Sequence, residues 1–579
     1  MKNNSHKKGR YTQYPNKIGL FSKSKGGFIK NDNDVVLSFP FKDAVLEAGM
    51  SKEDVGRDER FLHQTLDSKD IDTLEEPKVL SDFRIINKDG EKALTASNDI
   101  ELFDENGELN QNLLINGNNL LALYSLRERL AGKVKIIYID PPYNTKGDAN
   151  TFAYNNTFNH SAWLTFMKNR LEIAKELLRD DGVLAITIDD EEQAYLTVLC
   201  DEIFGRENKM GVLAVQIKPS GRTTDAYLST SHEYALFYSK NENAPIINFF
   251  DLNENQKAQY KSTDESGNPY KWRDFLRTGG YSTPEERPNS YYPIYFNPET
   301  SDITVEKKQS PYVEILPIDS EGKHRVWRKT KPSLNIHIEA GEIKVEQVRG
   351  VWKVRLIDRI KEGVRPKSVW TDSKYDSATY GTKLLKQIFG GDKLFSFPKS
   401  LYATLDVLKL FSDGDDDIIL DFFAGSGTTA HAVLELNKSD NGSRKFVAVE
   451  QMSYVEEVTK ERLKKVISSD YQNASFVFLA LKKYNQEYID AIMEATNIKE
   501  LEDLYVDMRN NAFLKFWFDR TEFEKDEDFR KLDLDDRKQA LADILDENQL
   551  YLNYADMNDT RHEVSVDEKA LTNRFYGEN

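Results

Sequence analysis

The residues most able to do chemistry form a short turn, Asp140-Pro141-Pro142-Tyr143, directly after an apolar, β-branched run at 134–139. Such a run predicts a buried parallel strand, and α/β sheets place their chemistry at the carboxyl ends of these strands. The prolines fix the backbone and remove two N–H donors, so the Asp140 carboxylate and the Pro141 carbonyl form a rigid pair of acceptors. The pair suits a substrate with an amino group, and Tyr143 offers an aromatic face to a planar base. An ordinary Pro-Pro turn is the alternative.

A second candidate site is the glycine-rich turn at 421–428, Asp-Phe-Phe-Ala-Gly-Ser-Gly-Thr, between an apolar strand and a helix. Glycines permit positive φ there and let a ligand lie against the backbone, while free N–H groups of the helix start point at it. Glu450 stands 22 residues after Thr428, at the end of the next predicted strand. An acid there can accept hydrogen bonds from both hydroxyls of a ribose. The turn lacks a phosphate-loop lysine and a third glycine, which favours a nucleoside without pyrophosphate. A tight turn with a surface glutamate is the alternative.

The elements around these turns alternate between strands and helices, which indicates a parallel α/β sheet. From about 240 to 390 the pattern changes to short alternating pieces rich in Tyr, Pro, Gly, Lys and Arg, typical of a separate mixed insert. After about 470 the chain is acidic and aromatic, and its pattern predicts helices. The strands are predicted at 134–139, 183–188, 211–217, 234–238, 418–422 and 446–449, and the helices at 118–130, 162–178, 195–204, 401–411 and 428–436.

Composition limits the class of protein. The 579 residues, 39% hydrophobic and 30% charged, are typical of a globular chain of about three or four domains. The lone cysteine, Cys200, excludes an internal disulfide framework and a Cys-based zinc cluster, and the eight scattered histidines predict no metal site. No apolar run approaches the roughly 20 residues that span a bilayer, and the basic N-terminus has no signal core. We therefore expect a cytoplasmic protein without a membrane contact.

Charge is segregated along the chain, whose net charge is −18. Residues 1–30 hold eight basic and no acidic residues, 321–368 hold 13 basic and 6 acidic, and 501–579 hold 21 acidic and 11 basic. Because the field at a groove depends on where charges lie, a basic insert can bind nucleic acid in an acidic chain. Each basic residue alone is explained as well by a solvated surface. The insert residues that could contact phosphates or guanines are Arg325, Arg328, Lys329, Arg349, Arg355 and Arg359.

Together the two turns resemble the motifs of DNA amino-methyltransferases that use S-adenosylmethionine (SAM). The catalytic motif of that family is Asp/Asn/Ser-Pro-Pro-Tyr/Phe/Trp and its cofactor motif is Phe-x-Gly-x-Gly, here at 140–143 and 423–427. The catalytic motif comes first and a long insert separates the two, as in the β class. The segments 231–234 and 397–400 are similar to secondary motifs of that group. Size, insert and lead-in most resemble the modification subunit of a type III restriction-modification system.

The resemblance implies an α/β fold, a Rossmann-like methyltransferase sheet with circularly permuted motif order. It also implies a central mixed α/β target-recognition insert and a helical acidic C-terminal region. In the permuted order the strands that contain Ile418 and Ile136 are expected to lie side by side, so that both turns meet at one edge. The implied regions are a flexible basic arm (1–34), a lead-in (35–110), a catalytic half (111–240), a target-recognition domain (241–390), a SAM-binding half (391–470) and an acidic region for dimer or partner contacts (471–579).

The implied activity is methyl transfer from SAM to the exocyclic N6 of an adenine flipped out of double-stranded DNA, without a metal. An Asp at the first motif position favours adenine; methylation of cytosine N4 and a catalytically inactive DNA-binding scaffold are the alternatives. A second copy of the chain and a restriction subunit are the expected protein partners. The catalytic residues would be Asp140, Pro141, Pro142 and Tyr143. SAM would be held by Asp421, Phe423, Ala424, Gly425, Gly427, Thr428, Glu450 and Asn118, although Asn118 is explained equally well as a helix N-cap.

Overall fold

A computed structural model shows two compact units, Met1–Asn248 with Lys367–Asn579, and Phe249–Pro366. Four two-residue strands are described near the N-terminus: Phe21–Ser22, Gly27–Phe28, Leu46–Glu47 and Arg60–Phe61. The rest of the predicted basic arm at 1–34, and of residues 35–74, lies outside the described residues. The other described residues are 75–98, 100–145, 160–222, 227–241, 245, 247–360, 363–514, 518, 523–524, 529–545 and 550–578.

The first unit is built on a sheet of eleven strands. In chain order they are β1 (Leu80–Asn87), β2 (Gly90–Ala93), β3 (Asn112–Asn116), β4 (Val134–Ile139), β5 (Leu178–Ile188), β6 (Lys209–Gln216), β7 (His232–Ser239), β8 (Val369–Trp370), β9 (Ile418–Asp421), β10 (Lys445–Glu450) and β11 (Phe476–Leu481). Across the sheet they lie in the order β8-β6-β7-β5-β4-β9-β10-β3-β11-β1-β2. Six neighbouring strands in this order are parallel to one another: β5, β4, β9, β10, β3 and β11. The strands on either side of them, β7 and β1, are antiparallel to their neighbours.

Helices cover both faces of this sheet. Those from α1 to α3 share one hydrophobic core with strand residues such as Ile137, while α5 and α6 pack against each other and against β4 and β10. No helix in the described ranges is long and apolar enough to cross a membrane. The helices are α1 (Asn119–Leu130), α2 (His160–Leu177), α3 (Gln193–Phe204), α4 (Leu384–Ile388), α5 (Leu401–Phe411), α6 (Thr428–Asp440), α7 (Glu461–Ser469), α8 (Asn485–Glu494), α9 (Ile498–Asn511), α10 (Leu534–Asp543) and α11 (Val566–Tyr576).

The predicted neighbours at the centre of the sheet are confirmed. Strand β9 pairs in parallel with β4, and Ile419 lies opposite Ile136. Both strands are buried along their whole length, because apolar residues on successive positions serve a sheet that is covered on both faces. The chain leaves β4 at Asp140 and β9 at Asp421. These two carboxylates therefore stand at the same edge of the sheet.

Four strands of the sheet come from segments that the sequence placed elsewhere. Strands β1 and β2 belong to the predicted lead-in, and β11 opens the region from 471 that was predicted to be helical. The run FVFLAL of β11 is apolar at every position and pairs with β3 and β1, so it completes the sheet before the helices follow. Strand β8 pairs with β6. Residues 367–390 therefore belong to the first unit, and the separate unit is narrower than the predicted 241–390.

The second unit, Phe249–Pro366, is a mixed α/β body with its own core. Its helices are Glu254–Lys257 and Lys331–Glu339. The rings of Phe275 and Trp327 stack in the core with centroids 5.4 Å apart. Three antiparallel sheets surround this core: Ser262–Thr263, Pro269–Asp274, Val351–Arg359 and Ile343–Val348; Leu276–Arg277 and Val326–Trp327; and Ile303–Thr304, Ile294–Phe296 and Val313–Ile315.

Candidate active site

An open cavity of about 710 Å³ lies at the carboxyl ends of β4, β9 and β10. Both predicted turns contribute to its walls, as does the acid at the end of β10. Four of the predicted site residues, Pro141, Tyr143, Gly427 and Asn118, are not among the lining residues. The predicted residues that line the cavity are Asp140, Pro142, Asp421, Phe423, Ala424, Gly425, Thr428 and Glu450.

The Asp140 turn presents acceptors, as its sequence predicts. Oδ1 of Asp140 accepts a hydrogen bond of 2.7 Å from Thr187 Oγ1. The Pro142 carbonyl accepts one of 2.8 Å from Trp163 Nε1 and is therefore already occupied. Within the described part of the chain, nothing donates to Oδ2 of Asp140 or to the Pro141 carbonyl. These two atoms are left as acceptors for a ligand.

The glycine-rich turn has the backbone that its glycines permit. Gly425 has φ +51° and Gly427 has φ +77°, in the left-handed region where a side chain would be strained. Glu450 holds this turn in place: its Oε2 accepts the Gly425 N–H at 2.8 Å, and its Oε1 accepts the N–H groups of Gln451 and Met452 at 2.9 and 3.0 Å. Burial raises the pKa of Glu450 above its ordinary value. The acid thus organises the turn besides facing the cavity.

Asp421 is a buried carboxyl at the end of β9. Its Oδ1 accepts the Phe423 N–H at 3.0 Å and its Oδ2 accepts the Thr429 hydroxyl at 2.6 Å. Burial, with Asp140 and Glu450 nearby, raises the pKa of Asp421 to about 7. The group therefore changes its charge near neutral pH.

Comparisons with known proteins agree with this geometry. A family model described as DNA methylase, of the N6/N4 methyltransferases, matches residues 134–494. The chain belongs to this DNA methylase family. The probable type III restriction-modification enzyme HindVI Mod subunit of Haemophilus influenzae is 31% identical to it over 98% of this chain and 88% of its own length. The type III EcoPI Mod subunit of Escherichia phage P1 is 32% identical over 65% of each chain. The type II methyltransferase M.KpnI of Klebsiella pneumoniae is 34% identical over 58% of this chain and 79% of its own.

Near the start of α1, Asn119 and not the predicted Asn118 lines the cavity. Asn118 is the N-cap of α1, since its side chain accepts the Leu120 N–H at 3.0 Å. This is the alternative that the sequence left open. Asn119 lines the cavity instead. In the first turn of a helix, adjacent side chains point in different directions, so only one of the two can face the site.

Arg462 on α7 donates hydrogen bonds to the glycine-rich turn. No motif in the sequence indicates this role. Its Nη1 donates to the Ser426 carbonyl at 3.1 Å and to the Thr428 hydroxyl at 2.9 Å. The side chain is 1% exposed, and burial lowers the pKa of Arg462 to about 9. Among the described residues no carboxylate pairs with it. An arginine in an amphipathic helix ordinarily suggests a solvated face, so its role depends on tertiary contacts.

The cavity wall of the methylase suits a nucleoside that carries a positive charge. Asp421 and Glu450 bring carboxylates, and Phe395 and Tyr454 bring aromatic rings. Gln451 also lines the cavity, and its buried Oε1 has no hydrogen-bond partner in the described ranges. A buried acceptor without a partner costs free energy unless a ligand donates to it. Carboxylates, rings and a free acceptor together match the ribose, adenine and sulfonium of SAM.

In the second unit, most of the predicted DNA-contacting cations already have partners. Arg325 pairs with Asp319 at 2.7 Å and Arg355 with Asp274 at 2.7 Å. The other four differ in how far they are engaged. Arg359 pairs with Glu342, Arg328 donates to the Asp274 carbonyl at 2.7 Å, and the side chains of Lys329 and Arg349 make no ion pair with any described residue.

Proposed function

We propose that this methylase transfers a methyl group from SAM to the exocyclic N6 of adenine in double-stranded DNA. The observation that carries the proposal is one cavity bounded by both turns, with Asp140 after β4 and Gly425 after β9 on neighbouring parallel strands. An amine inside a duplex cannot reach such a cavity, so the target base must leave the stack and enter it.

In this proposal, Asp140 and the Pro141 carbonyl bind and orient the target amine. The lone pair of that nitrogen is delocalised into the ring, which makes it a poor nucleophile. Two acceptors held at the edge of the sheet favour the pyramidal nitrogen, whose developing positive charge the Asp140 carboxylate stabilises. The rest of the rate enhancement comes from alignment of the amine with the methyl group.

Bound SAM supplies the activated methyl group. The residues proposed to bind it are Glu450 for the ribose, Asp421 for the positively charged part and the backbone of Gly425 for close approach. Gln451 Oε1 is an acceptor available to an amino or hydroxyl group. Tyr143 is proposed to stack on the target base through the ring face opposite the Lys399 ammonium, which lies 4.4 Å from the ring centroid. Its hydroxyl donates to Glu233 at 3.0 Å, and this bond fixes the ring.

The choice of adenine rests on the aspartate at the first position of the catalytic turn. The test incubates the protein with labelled SAM and unmethylated DNA, hydrolyses the DNA and separates the nucleosides. We expect label in N6-methyladenine. Label in N4-methylcytosine would show that the target base is cytosine and not adenine. SAM binding with no transfer to any DNA would support the inactive scaffold.

We further propose that Phe249–Pro366 recognises the DNA sequence. The unit has a core of its own, so it can change without disturbing the large sheet. In a hybrid that carries the equivalent unit of a relative, the methylated sequence should change while the methylated nucleoside stays the same. A hybrid that keeps the sequence specificity of its parent would place recognition elsewhere.

We also propose that the protein is the modification subunit of a restriction-modification system and works as a homodimer with a restriction subunit. Support comes from the similarity to the Haemophilus influenzae Mod subunit over 98% of this chain. Light scattering should give about twice the 66.7 kDa of one chain. A mass of one chain at micromolar concentration would contradict the dimer.

A further inference from the structure

An ammonium group lies between the two carboxylates next to the catalytic turn. Lys399 Nζ is 3.1 Å from Oδ1 of Asp140 and 2.7 Å from Oε2 of Glu233. The same ammonium lies 4.4 Å from the centroid of the Tyr143 ring and donates to its hydroxyl. The Lys399 side chain is 13% exposed and that of Glu233 5%. This cluster, Asp140, Lys399, Glu233 and Tyr143, joins the catalytic turn to β7 and to the segment before α5.

The charges of the cluster depend on one another. Two carboxylates this close raise each other's pKa unless a cation lies between them. Burial opposes the charge on Lys399, but the nearby Asp140 and Glu233 raise the pKa of its ammonium above the ordinary value. Lys399 therefore stays charged over the pH range of an enzyme assay. Its charge offsets that of Glu233.

The contacts also distinguish the two oxygens of Asp140. Both Lys399 and the Thr187 hydroxyl contact Oδ1, at 3.1 and 2.7 Å. Nothing in the described part of the chain donates to Oδ2. One oxygen is anchored and the other is free, so the carboxylate has lost its rotational freedom before a substrate arrives.

We propose that Lys399 is a positioning residue for methyl transfer, which anchors Oδ1 of Asp140 so that Oδ2 accepts the hydrogen bond of the target amine. This inference rests on the proposed function. By neutralising Glu233, Lys399 also leaves the Asp140 charge to face the positive charge that develops on the nitrogen. Lys399 also lines the cavity, and the role proposed for it in methyl transfer is exerted through its contact with Asp140.

Other titratable groups face the cluster and shape the pH profile. Burial raises the pKa of Asp189 to about 6 and that of Asp421 to about 7. Burial also raises the pKa values of Tyr138 and Tyr143 well above the ordinary range, so both phenols stay neutral. Because Asp189 and Asp421 titrate near neutral pH, and Lys399 is among the charges that lower the pKa of Asp189, the test compares variants and does not assign the acid limb from one pH profile.

The test measures methyl transfer from tritiated SAM to unmethylated duplex DNA of mixed sequence between pH 5.5 and 9.5, and SAM affinity by calorimetry. In Lys399→Met, kcat should fall on the order of a hundredfold because Oδ1 of Asp140 is then anchored by the Thr187 hydroxyl alone. The acid limb of the pH–rate profile should move up by about one pH unit or more, because without the cation two carboxylates face each other and protonation of one of them is favoured. The Kd for SAM should change by less than about threefold, the effect of one weak contact. Lys393→Met is the matched control: this lysine is exposed on the same segment, makes no ion pair or hydrogen bond with described residues and should leave both readouts unchanged.

A second substitution separates the electrostatic role from a structural one. In Lys399→Met with Glu233→Gln, one carboxylate remains, so the acid limb should return toward its wild-type position and part of kcat should recover. Lys399→Arg keeps the charge, so its limb should stay in place even where kcat falls, and this variant carries the test if Lys399→Met does not fold. The proposal is overturned if the limb does not move in Lys399→Met, or if the Kd for SAM rises in parallel with the loss of kcat. Absence of transfer by the wild-type protein would instead contradict the proposed function.

Discussion

Asn119 Nδ2 donates a hydrogen bond of 2.9 Å to the main-chain carbonyl of Phe422, and so joins the first turn of α1 to the turn that follows β9. Oδ1 of Asn119 in turn accepts a hydrogen bond of 2.7 Å from Arg170 Nε. Arg170 is fully buried, with its guanidinium 3.7 Å from the centre of the Phe166 ring. One amide thus connects α1, α2 and the glycine-rich turn, three elements that are far apart in sequence.

Asn119→Ala should therefore weaken SAM binding as well as the fold. It leaves the Phe422 carbonyl and the Nε–H of Arg170 unpaired, each at a cost of about 1–3 kcal/mol in the free energy of unfolding, while Nη1 of Arg170 keeps its hydrogen bond to the Phe166 carbonyl. Asn118→Ala is the matched control, because it removes the N-cap, worth about 1 kcal/mol, without touching the cavity. Calorimetry with SAM and urea unfolding should show a loss of affinity in Asn119→Ala alone. Equal losses of affinity would mean that stability, and not this link, sets the cofactor site.

Asp140→Ala should abolish methyl transfer and leave SAM binding nearly intact. The carboxylate faces the proposed amine site, and its loss removes the acceptor that stabilises the charged nitrogen, a change on the order of a hundred- to a thousandfold in kcat. The fold should persist because Lys399 keeps its ion pair with Glu233 at 2.7 Å. Asp392→Ala, on an exposed residue, provides the control. Turnover by Asp140→Ala close to the wild-type rate would remove Asp140 from the reaction.

Glu450→Ala should weaken SAM binding by on the order of 1.5–3 kcal/mol, because a ribose hydroxyl pair no longer has its charged acceptor. The same change frees the Gly425 N–H, so part of the effect reflects a looser turn. In Glu450→Gln the amide oxygen can still accept the Gly425 N–H while the charge is gone, although the amide NH2 then faces the Gln451 and Met452 N–H groups that Oε1 accepts in the wild type. We expect an intermediate Kd by calorimetry. Wild-type affinity in Glu450→Ala would contradict the placement of the ribose.

Asp421 should make the stability of the ligand-free protein depend on pH. Its folded pKa of about 7 lies above the unfolded value near 3.8, so the folded state favours the neutral acid. The contribution is fully present below pH 3.8 and is lost as the pH rises through 7. In Asp421→Asn this position does not titrate, so it causes no fall in the free energy of unfolding as the pH rises. Its advantage over wild type in the free energy of unfolding should grow between about pH 5 and 8 by on the order of 1–3 kcal/mol and level off above. A difference that is constant with pH, measured by urea unfolding, would contradict a raised pKa.

The sequence predicts the centre of the sheet well because the signals there are local. The apolar run of β4 and the turn of Asp140 have matching bounds in sequence and structure, since a buried parallel strand needs no partner to be recognised. Strand β11 was missed because its run stands in an acidic, helical stretch and pairs with a strand more than 350 residues earlier. Asn119 was missed because the sequence does not show which of two adjacent asparagines caps α1 and which faces the cavity.

The side chains that support the site are predicted least. Lys399 and Glu233 stand in segments that resemble secondary motifs, yet their meeting with Asp140 depends on strand order in the folded sheet. Arg462 has no motif, and its role follows from burial under the turn at Ser426. Spacing identifies residues on one element; it does not identify partners that the fold brings from distant segments.

The cations of the second unit differ in how freely they can bind DNA. Arg349 stands at the tip of the hairpin between Ile343–Val348 and Val351–Arg359, exposed and with φ +51°. Like Lys329, it makes no ion pair with any residue the structure describes, whereas Arg359 pairs with Glu342. A cation that is already paired must give up its carboxylate partner to bind a phosphate. The cations without an ion pair should therefore contribute more to the affinity for DNA.

Lys329→Gln and Arg349→Gln should each weaken DNA binding, and each should lower the slope of log K against log salt by about one unit for every phosphate that the protein no longer neutralises. Arg359→Gln is the control: it should reduce stability slightly and leave the slope unchanged, since its charge serves an ion pair within the protein. Filter binding at several salt concentrations measures all three. A slope that falls in Arg359→Gln and stays constant in the other two would reverse the assignment, because the ion pairs would then open for DNA while the exposed cations remain in solvent.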